Sequence, residues 1–224
     1  MRTIINPNIA VWPSLCERPS LELEFLDSTV KNIINRVKTS GDDALKEFAL
    51  RYDKAQIDNP EVTQKEIDAA SASISKELKA AIETAASNIR KFHESQRREF
   101  QKVETTPGVT CWRKAVAIDR VGIYIPGGTA PLFSTVLMLA IPAKIAGCRE
   151  VILCSPPDSS GTISPAILYA ASMAGITKMF KAGGAQAIAA LAYGTKTIPS
   201  VNCATEDIHS PWRWSFALPW LREK

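Results

Sequence analysis

The residues of this chain best suited to chemistry gather around two pairs of adjacent glycines. One pair lies in Ile125-Pro126-Gly127-Gly128-Thr129-Ala130-Pro131, the other in Ala182-Gly183-Gly184-Ala185-Gln186. Each pair follows a short apolar run and precedes a longer one, so each reads as a strand-to-helix turn. Glycine at such a turn lets a ligand approach the backbone closely, and the helix that follows aims free N–H groups and a positive dipole end at anions. Ligands of open parallel sheets bind at these places, beyond the carboxyl ends of the strands. Neither turn spells GxGxxG, however, and no acidic residue follows at the distance a ribose contact needs. On spacing alone, a plain strand-to-helix connection is the better reading of both.

Two side chains near the turns add chemistry. Tyr124 ends an apolar strand, where its ring can stack on a ligand or fill the core. Gln186 stands among alanines in the first turn of a helix, where its amide can address a ligand or cap its own helix. The two histidines offer less. His93 belongs to a polar helical segment and is expected to be exposed, and His209 lies in the terminal segment. Neither has a cysteine or carboxylate at ligand spacing, so the sequence shows no zinc site of its own. Cys16, Cys111, Cys148, Cys154 and Cys203 are odd in number, scattered and without a CxxC pair. That pattern points to a reduced compartment rather than to a disulfide framework or thiolate cluster.

The elements that must position these turns follow from periodicity. From about Ser20 to Arg98 the pattern is helical. Phe25, Val30, Ile33, Ile34 and Val37 mark one amphipathic helix that stops at Gly41, and Ala44, Leu45, Phe48 and Ala49 mark a second that ends near Tyr52. Thr63 and Glu66 form a capping-box pattern. Ile67, Ile74, Leu78, Ile82, Ile89 and Phe92 then trace one face, with a break near Ser75. After Val109 short β-branched runs alternate with helices: strands over 121–125, 150–155 and 178–182, helices over 132–146, 164–174 and 185–193. Pro142 is expected to kink the first of these helices or restart it. Three alternations predict an α/β fold in which a helical amino-terminal layer precedes a parallel sheet.

Composition narrows the function classes. The chain has 224 residues, 46% hydrophobic and 22% charged, which is ordinary for a soluble globular protein. Its 27 basic and 23 acidic side chains are interspersed, so the net charge of +4 carries no polyanion footprint. The one basic run, Arg90 to Lys102, reads as a solvated helix face, and nucleic acid is not an expected partner. No apolar run reaches the roughly 18 residues of a membrane span and the N-terminus lacks a signal-peptide core, so a soluble cytoplasmic protein is expected.

The strings VGIYIPGGTAPLFSTVLMLAIPAKIAGC, VILCSPP and GGAQAIAALAYGT, in this order and at these intervals, closely resemble histidinol dehydrogenase. Upstream, SGDDAL and NIRKFHESQ look like the same family, so the resemblance extends from near the start to about Pro199. It implies a Rossmann-like, aldehyde-dehydrogenase-like nucleotide domain and a cytoplasmic homodimer that depends on NAD and zinc. Its reaction would be oxidation of L-histidinol to L-histidine through histidinal, closing histidine biosynthesis. It also implies that Tyr124 and Gln186 are cofactor-binding, the ring lying against NAD and the amide hydrogen-bonding it.

After Pro199 the family pattern continues into a glycine-rich GPGN segment, whereas this chain reads SVNCATEDIHSPWRWSFALPWLREK. The expected organisation is a helical region over 1–108, a partial NAD-binding domain over 109–200 and a divergent, disordered tail over 201–224. A frameshift or altered splice near Val201 would produce that tail. The resemblance places the family's substrate-binding serine, Glu-His pair and metal ligands in the half beyond, so no catalytic residue and no metal ligand is assigned here. The expectation is an incomplete histidinol dehydrogenase, inactive alone. The alternative is a non-catalytic interaction protein that pairs with a full-length subunit.

Overall fold

Strands that alternate with helices bury both faces, and the computed structural model shows how this chain covers them. It describes residues 4–16, 24–97, 101–128, 130–176 and 178–206. A 3-10 turn, Ile9–Val11, leads into the short helix α1, Trp12–Cys16. Helix α2 spans Glu24–Phe48, is broken at Gly41 (φ 51°), and passes into a π-helical turn, Ala49–Asp53. Only glycine adopts such a dihedral readily, so the stop anticipated at Gly41 has a backbone cause. Helices α3, Gln64–Ser73, and α4, Lys76–Glu94, follow. Thr63 caps α3 in a reciprocal box with Glu66, and Ser75 caps α4 after the break.

A hairpin of β1, Val103–Thr106, and β2, Val109–Cys111, precedes the alternating region. That region runs β3, Arg120–Tyr124; α5, Phe133–Ile145; β4, Glu150–Ser155; α6, Pro165–Met173; β5, Lys178–Lys181; α7, Gly184–Tyr193; and β6, Cys203–Glu206. The last four strands form one parallel sheet in the order β5-β4-β3-β6. From β3 the chain steps outward to β4 and β5, then returns to the other side of β3, where Tyr124 lies opposite Glu206. The direction of winding therefore reverses at β3, the position where doubly wound sheets open a crevice at their carboxyl edge.

The period of two along each strand sends alternate side chains to opposite layers. In β4, Val151 and Leu153 enter the core shared with α3, α4, α5 and α6, and Ile152 and Cys154 enter the core shared with α2 and α7. The helices of the first hundred residues thus straddle the sheet. Segment 54–62 makes the crossing around the β5 edge, where Glu61 bridges Phe180 and the Lys181 N–H donates to the Pro60 carbonyl at 2.7 Å. Covering an edge in this way also removes a free ladder for aggregation. Leu45 of α2 and Ile82 of α4 are fully buried, each burial stabilising the fold by roughly 1.5–3 kcal/mol.

Several details differ from the sequence reading. Phe92 does not extend the apolar face of α4: it is 61% exposed and sits edge-on to His93. Helix α5 is continuous through Pro142 and does not restart there; the donor lost at Pro142 would have served the Met138 carbonyl, and Met138 is 49% exposed. The hairpin and the short α1 carry no long period and were not anticipated. Residues 203–206, read as part of the tail, add the fourth strand. The remainder of that tail, including His209 and Trp212, lies outside the described residues. Among the described residues no helix is long and apolar enough to cross a membrane.

Candidate functional site

The three turns after β3, β4 and β5 meet around Pro156. This proline follows the end of β4, a strand that lies between β5 and β3. A Cβ placed on Gly127 would lie 2.7 Å from Pro156 Cγ, and one placed on Gly183 would lie 2.7 Å from Pro156 Cβ. Both distances are far below the roughly 3.5–4.0 Å at which carbon atoms pack. One glycine of each pair is therefore needed to admit the same ring from opposite sides. The two glycine turns, 56 residues apart from Gly127 to Gly183, converge on one wedge.

Above that wedge opens a cleft of about 610 Å³ whose walls include Tyr124, Gly128, Ser155, Asp158, Gly184 and Asp53. Its volume lies in the range of small-molecule and cofactor sites. Three helices begin at this edge, and in none does the N-cap residue's own side chain cap the first turn: Leu132 before α5, Ser164 before α6 and Gly183 before α7. Helices α3 and α4, away from the cleft, are both capped by side chains. The contrast leaves the N-termini of α5 and α6 to address an anionic ligand.

Tyr124 is half-buried on the cleft wall, and its Oη accepts a hydrogen bond from the Gly184 N–H at 2.9 Å. That bond ties the end of β3 to the first residue of α7. Gln186 is 3% exposed and lies behind the wall, its Oε1 3.0 Å from where a Gly184 Cβ would stand. Tyr124 and Gln186 thus approach Gly184 from two sides, the tyrosine on the cleft and the glutamine beneath it. His93 is half-buried at the end of α4, hydrogen-bonded through Nδ1 to Gln96 Oε1 at 2.9 Å, and is not part of the cleft lining.

Two carboxylates face the cleft in opposite conditions. Asp158 accepts from the Ser160 N–H at 2.9 Å, the Ser160 hydroxyl at 2.6 Å and the Thr162 N–H at 3.1 Å, which folds the β4–α6 loop into a knob. Partial burial works to raise its pKa, but these hydrogen bonds outweigh it and hold the carboxyl below the usual range. Asp53 closes the π-helical turn, followed by Lys54 in the left-handed region (φ 58°). Its Oδ2 is buried and has no hydrogen-bond partner, and desolvation raises its pKa. Sequence reasoning missed Asp53 because it precedes the glycine turns by more than seventy positions and comes from the helical layer. A π-turn ending in a left-handed lysine has no reliable local signature.

These features fit a phosphorylated ligand that carries a ring: glycine backbone at the walls, helix N-termini for phosphates and an aromatic face. They do not fit zinc, since no group of three His, Cys, Asp or Glu residues that could hold a metal occurs among the described residues.

Comparison with known proteins agrees with the fold. Residues 16–205 match the family model described as histidinol dehydrogenase. The chain is 58% identical over 201 residues to histidinol dehydrogenase of Bacteroides fragilis, an overlap of 90% of this chain and 47% of that protein. With the Salmonella typhimurium enzyme of the same name it shares 49% over 190 residues, 84% of this chain and 43% of the relative. The crystal structure of histidinol dehydrogenase from Elizabethkingia anophelis superposes with a TM-score of 0.86 at 50% identity, covering 91% of this chain and 47% of that one. The chain spans about half the length of the curated relatives it matches. With a parallel sheet that reverses at β3, a cleft at its carboxyl edge and a family match over residues 16–205, the chain belongs to the histidinol dehydrogenase family.

Proposed function

We propose that this chain supplies the cofactor-holding part of an NAD- and zinc-dependent enzyme that oxidises L-histidinol to L-histidine through histidinal, the last step of histidine biosynthesis. Cytoplasmic location and assembly of the whole enzyme as a homodimer belong to the same reading. The observation that carries it is the cleft at the carboxyl edge, where both glycine turns, Tyr124 and the N-termini of three helices come together.

NAD, when bound, supplies the acceptor for hydride. The residues of this chain bind and orient it. Tyr124, held by the Gly184 N–H, lays its ring against the nucleotide, and Gln186 supports the Gly184 turn from beneath with its amide. Gly127 and Gly128 let the backbone approach, and the first turns of α5 and α6 offer N–H groups to the phosphates. Ser155, 1% exposed at the end of β4, accepts the Ala182 N–H through its carbonyl at 3.0 Å and keeps the β5 turn in place.

No proton-transfer group is assigned, because the described cleft contains no histidine and its free carboxylate, Asp53, lacks a proton relay partner. These 224 residues by themselves are therefore proposed to bind NAD without oxidising histidinol. Calorimetric titration of the purified chain with NAD, followed by absorbance of NADH after adding histidinol and zinc, tests both halves. Saturable binding without NADH formation is expected. A steady histidinol-dependent rise in NADH would contradict the second half, and absence of binding at millimolar NAD would contradict the first.

A further inference from the structure

We propose that the stretch 101–119 is a docking arm whose apolar face packs against the carboxy-terminal half of the family polypeptide, the part that these 224 residues do not span. Every residue from 101 to 119 is exposed, and none belongs to the cores on either face of the sheet. The elements on either side behave differently: Ile82 and Ala86 of α4 are buried, and so are Val121 and Ile123 of β3. The chain thus leaves its own domain after α4, folds the hairpin of β1 and β2, and returns to the core at β3. A two-stranded hairpin alone is marginal in water, so this one calls for a surface to lie on.

Register gives the arm two faces. Val103 lies opposite Cys111 and Glu104 opposite Thr110, so Val103, Val109 and Cys111 share one face and Glu104, Thr110 and Trp112 the other. The first face is apolar, with Val103 55% and Val109 50% exposed. On the second, the Lys102 ammonium stands over the Trp112 ring at 5.5 Å. Exposed apolar surface gathered in this way marks an interaction site. Length and charge point to the occupant. The arm lies within residues 16–205, the stretch matched by the family model, and the match covers only 47% of the Bacteroides fragilis relative. The remainder of such a polypeptide has to lie against this half, whose two cores fill without the arm. A second copy of the arm is the poorer partner. Glu104 accepts the Gly108 N–H at 2.8 Å within its own turn, so paired arms would set Lys102, Arg113 and Lys114 against the same cations. Like charges facing one another across strands repel.

This docking does not depend on what the cleft binds, and two measurements test it. Hydrogen exchange followed by mass spectrometry compares the arm in this chain with the aligned segment of the full-length Bacteroides fragilis relative. The β1 and β2 amides are expected to exchange fast in this chain at every concentration, and about tenfold or more slowly in the relative, where the arm is covered. Photo-crosslinking then identifies the cover. Benzoylphenylalanine replaces, one at a time, the residues of the relative aligned with Val109 and Trp112, one on each face of the arm. Cross-links from the Val109 position to peptides beyond the matched half support the proposal. Cross-links from it only to the matched half of either subunit overturn it. An arm that exchanges as fast in the unmodified relative as in this chain overturns it as well, a readout that does not depend on a variant folding. Exchange in this chain that slows as its concentration rises overturns it in favour of a second copy.

Discussion

Substituting the glycines that flank Pro156 tests how the cleft is built. Gly127 and Gly183 both have backbone dihedrals open to alanine, so the effect of a methyl group there is steric and not conformational. In Gly183→Ala the new Cβ would begin 2.7 Å from Pro156 Cβ, and in Gly127→Ala it would begin 2.7 Å from Pro156 Cγ. Each neighbour must therefore withdraw by about 1 Å to reach ordinary carbon contact. A proline ring cannot swing aside, so the walls of the cleft have to separate. Overpacking of this kind costs about 1–3 kcal/mol. Gly183 is buried and should lie near the upper end, and Gly127 sits on an exposed loop and near the lower. For a chain of this size, 2 kcal/mol corresponds to a Tm lower by roughly 4–8 °C.

The decisive step is selective rescue. Pro156→Ala removes Cγ and keeps Cβ, so it should relieve Gly127→Ala and leave Gly183→Ala destabilised; Pro156→Gly should relieve both. Equilibrium urea denaturation followed by circular dichroism, analysed as two double-mutant cycles, reads the coupling directly. A positive coupling of about 1 kcal/mol or more is expected for 127 with P156A and none for 183 with P156A. Equal rescue of both glycine variants by P156A, or a Gly183→Ala protein as stable as wild type, would refute the wedge.

Two carboxylates should shape stability in opposite directions with pH. Asp53 has a raised pKa through desolvation, so its protonated form favours folding and that contribution is lost as pH rises through the folded value. Asp53→Asn is therefore expected to be more stable than wild type at neutral pH, the gap closing as pH falls toward 3.8, the ordinary aspartate value. For Glu66, burial pushes the pKa up, but Lys181 and Thr63 together prevail and lower it. Its contribution is present above 4.5, the ordinary glutamate value, and lost on acidification, so Glu66→Gln should be destabilised at pH 7 and match wild type in acid. Thermal melts across pH check both slopes. Thr63→Ala, which removes the capping oxygen of α3, should cost about 1 kcal/mol in the same assay. Tyr124→Phe leaves the Gly184 N–H to water at an exposed position, so stability should fall by less than about 1 kcal/mol while NAD affinity drops measurably in calorimetry.

Much of the fold was legible because periodicity and punctuation agreed. Strands 121–125 and 150–155, the capping box at Thr63 and the stop at Gly41 all appear where apolar spacing and backbone chemistry put them. The glycine turns were legible as turns, but not their reason: the need for room around Pro156 is a contact between three loops, which no local pattern expresses. The distribution of the helical region over both faces of the sheet was hidden for the same kind of reason, since an apolar stripe tells that a helix packs and not on what. Strand β6 is four residues long and was masked by an apparently aperiodic segment. Asp53 escaped because its significance depends on a turn that widens the helix and on neighbours far along the chain. Family resemblance named Tyr124 and Gln186, and the structure adds that one lines the cleft while the other lies behind Gly184.

The most direct measurement is amide chemical-shift mapping of the isotope-labelled chain during titration with NAD. Saturable shifts at Tyr124, Gly127, Gly128, Gly183 and Gly184 are predicted, on both sides of the Pro156 wedge and nowhere comparable on the exposed β1–β2 hairpin. No saturable change at millimolar NAD, or changes confined to residues away from the carboxyl edge of the sheet, would contradict the assignment of this cleft to a dinucleotide.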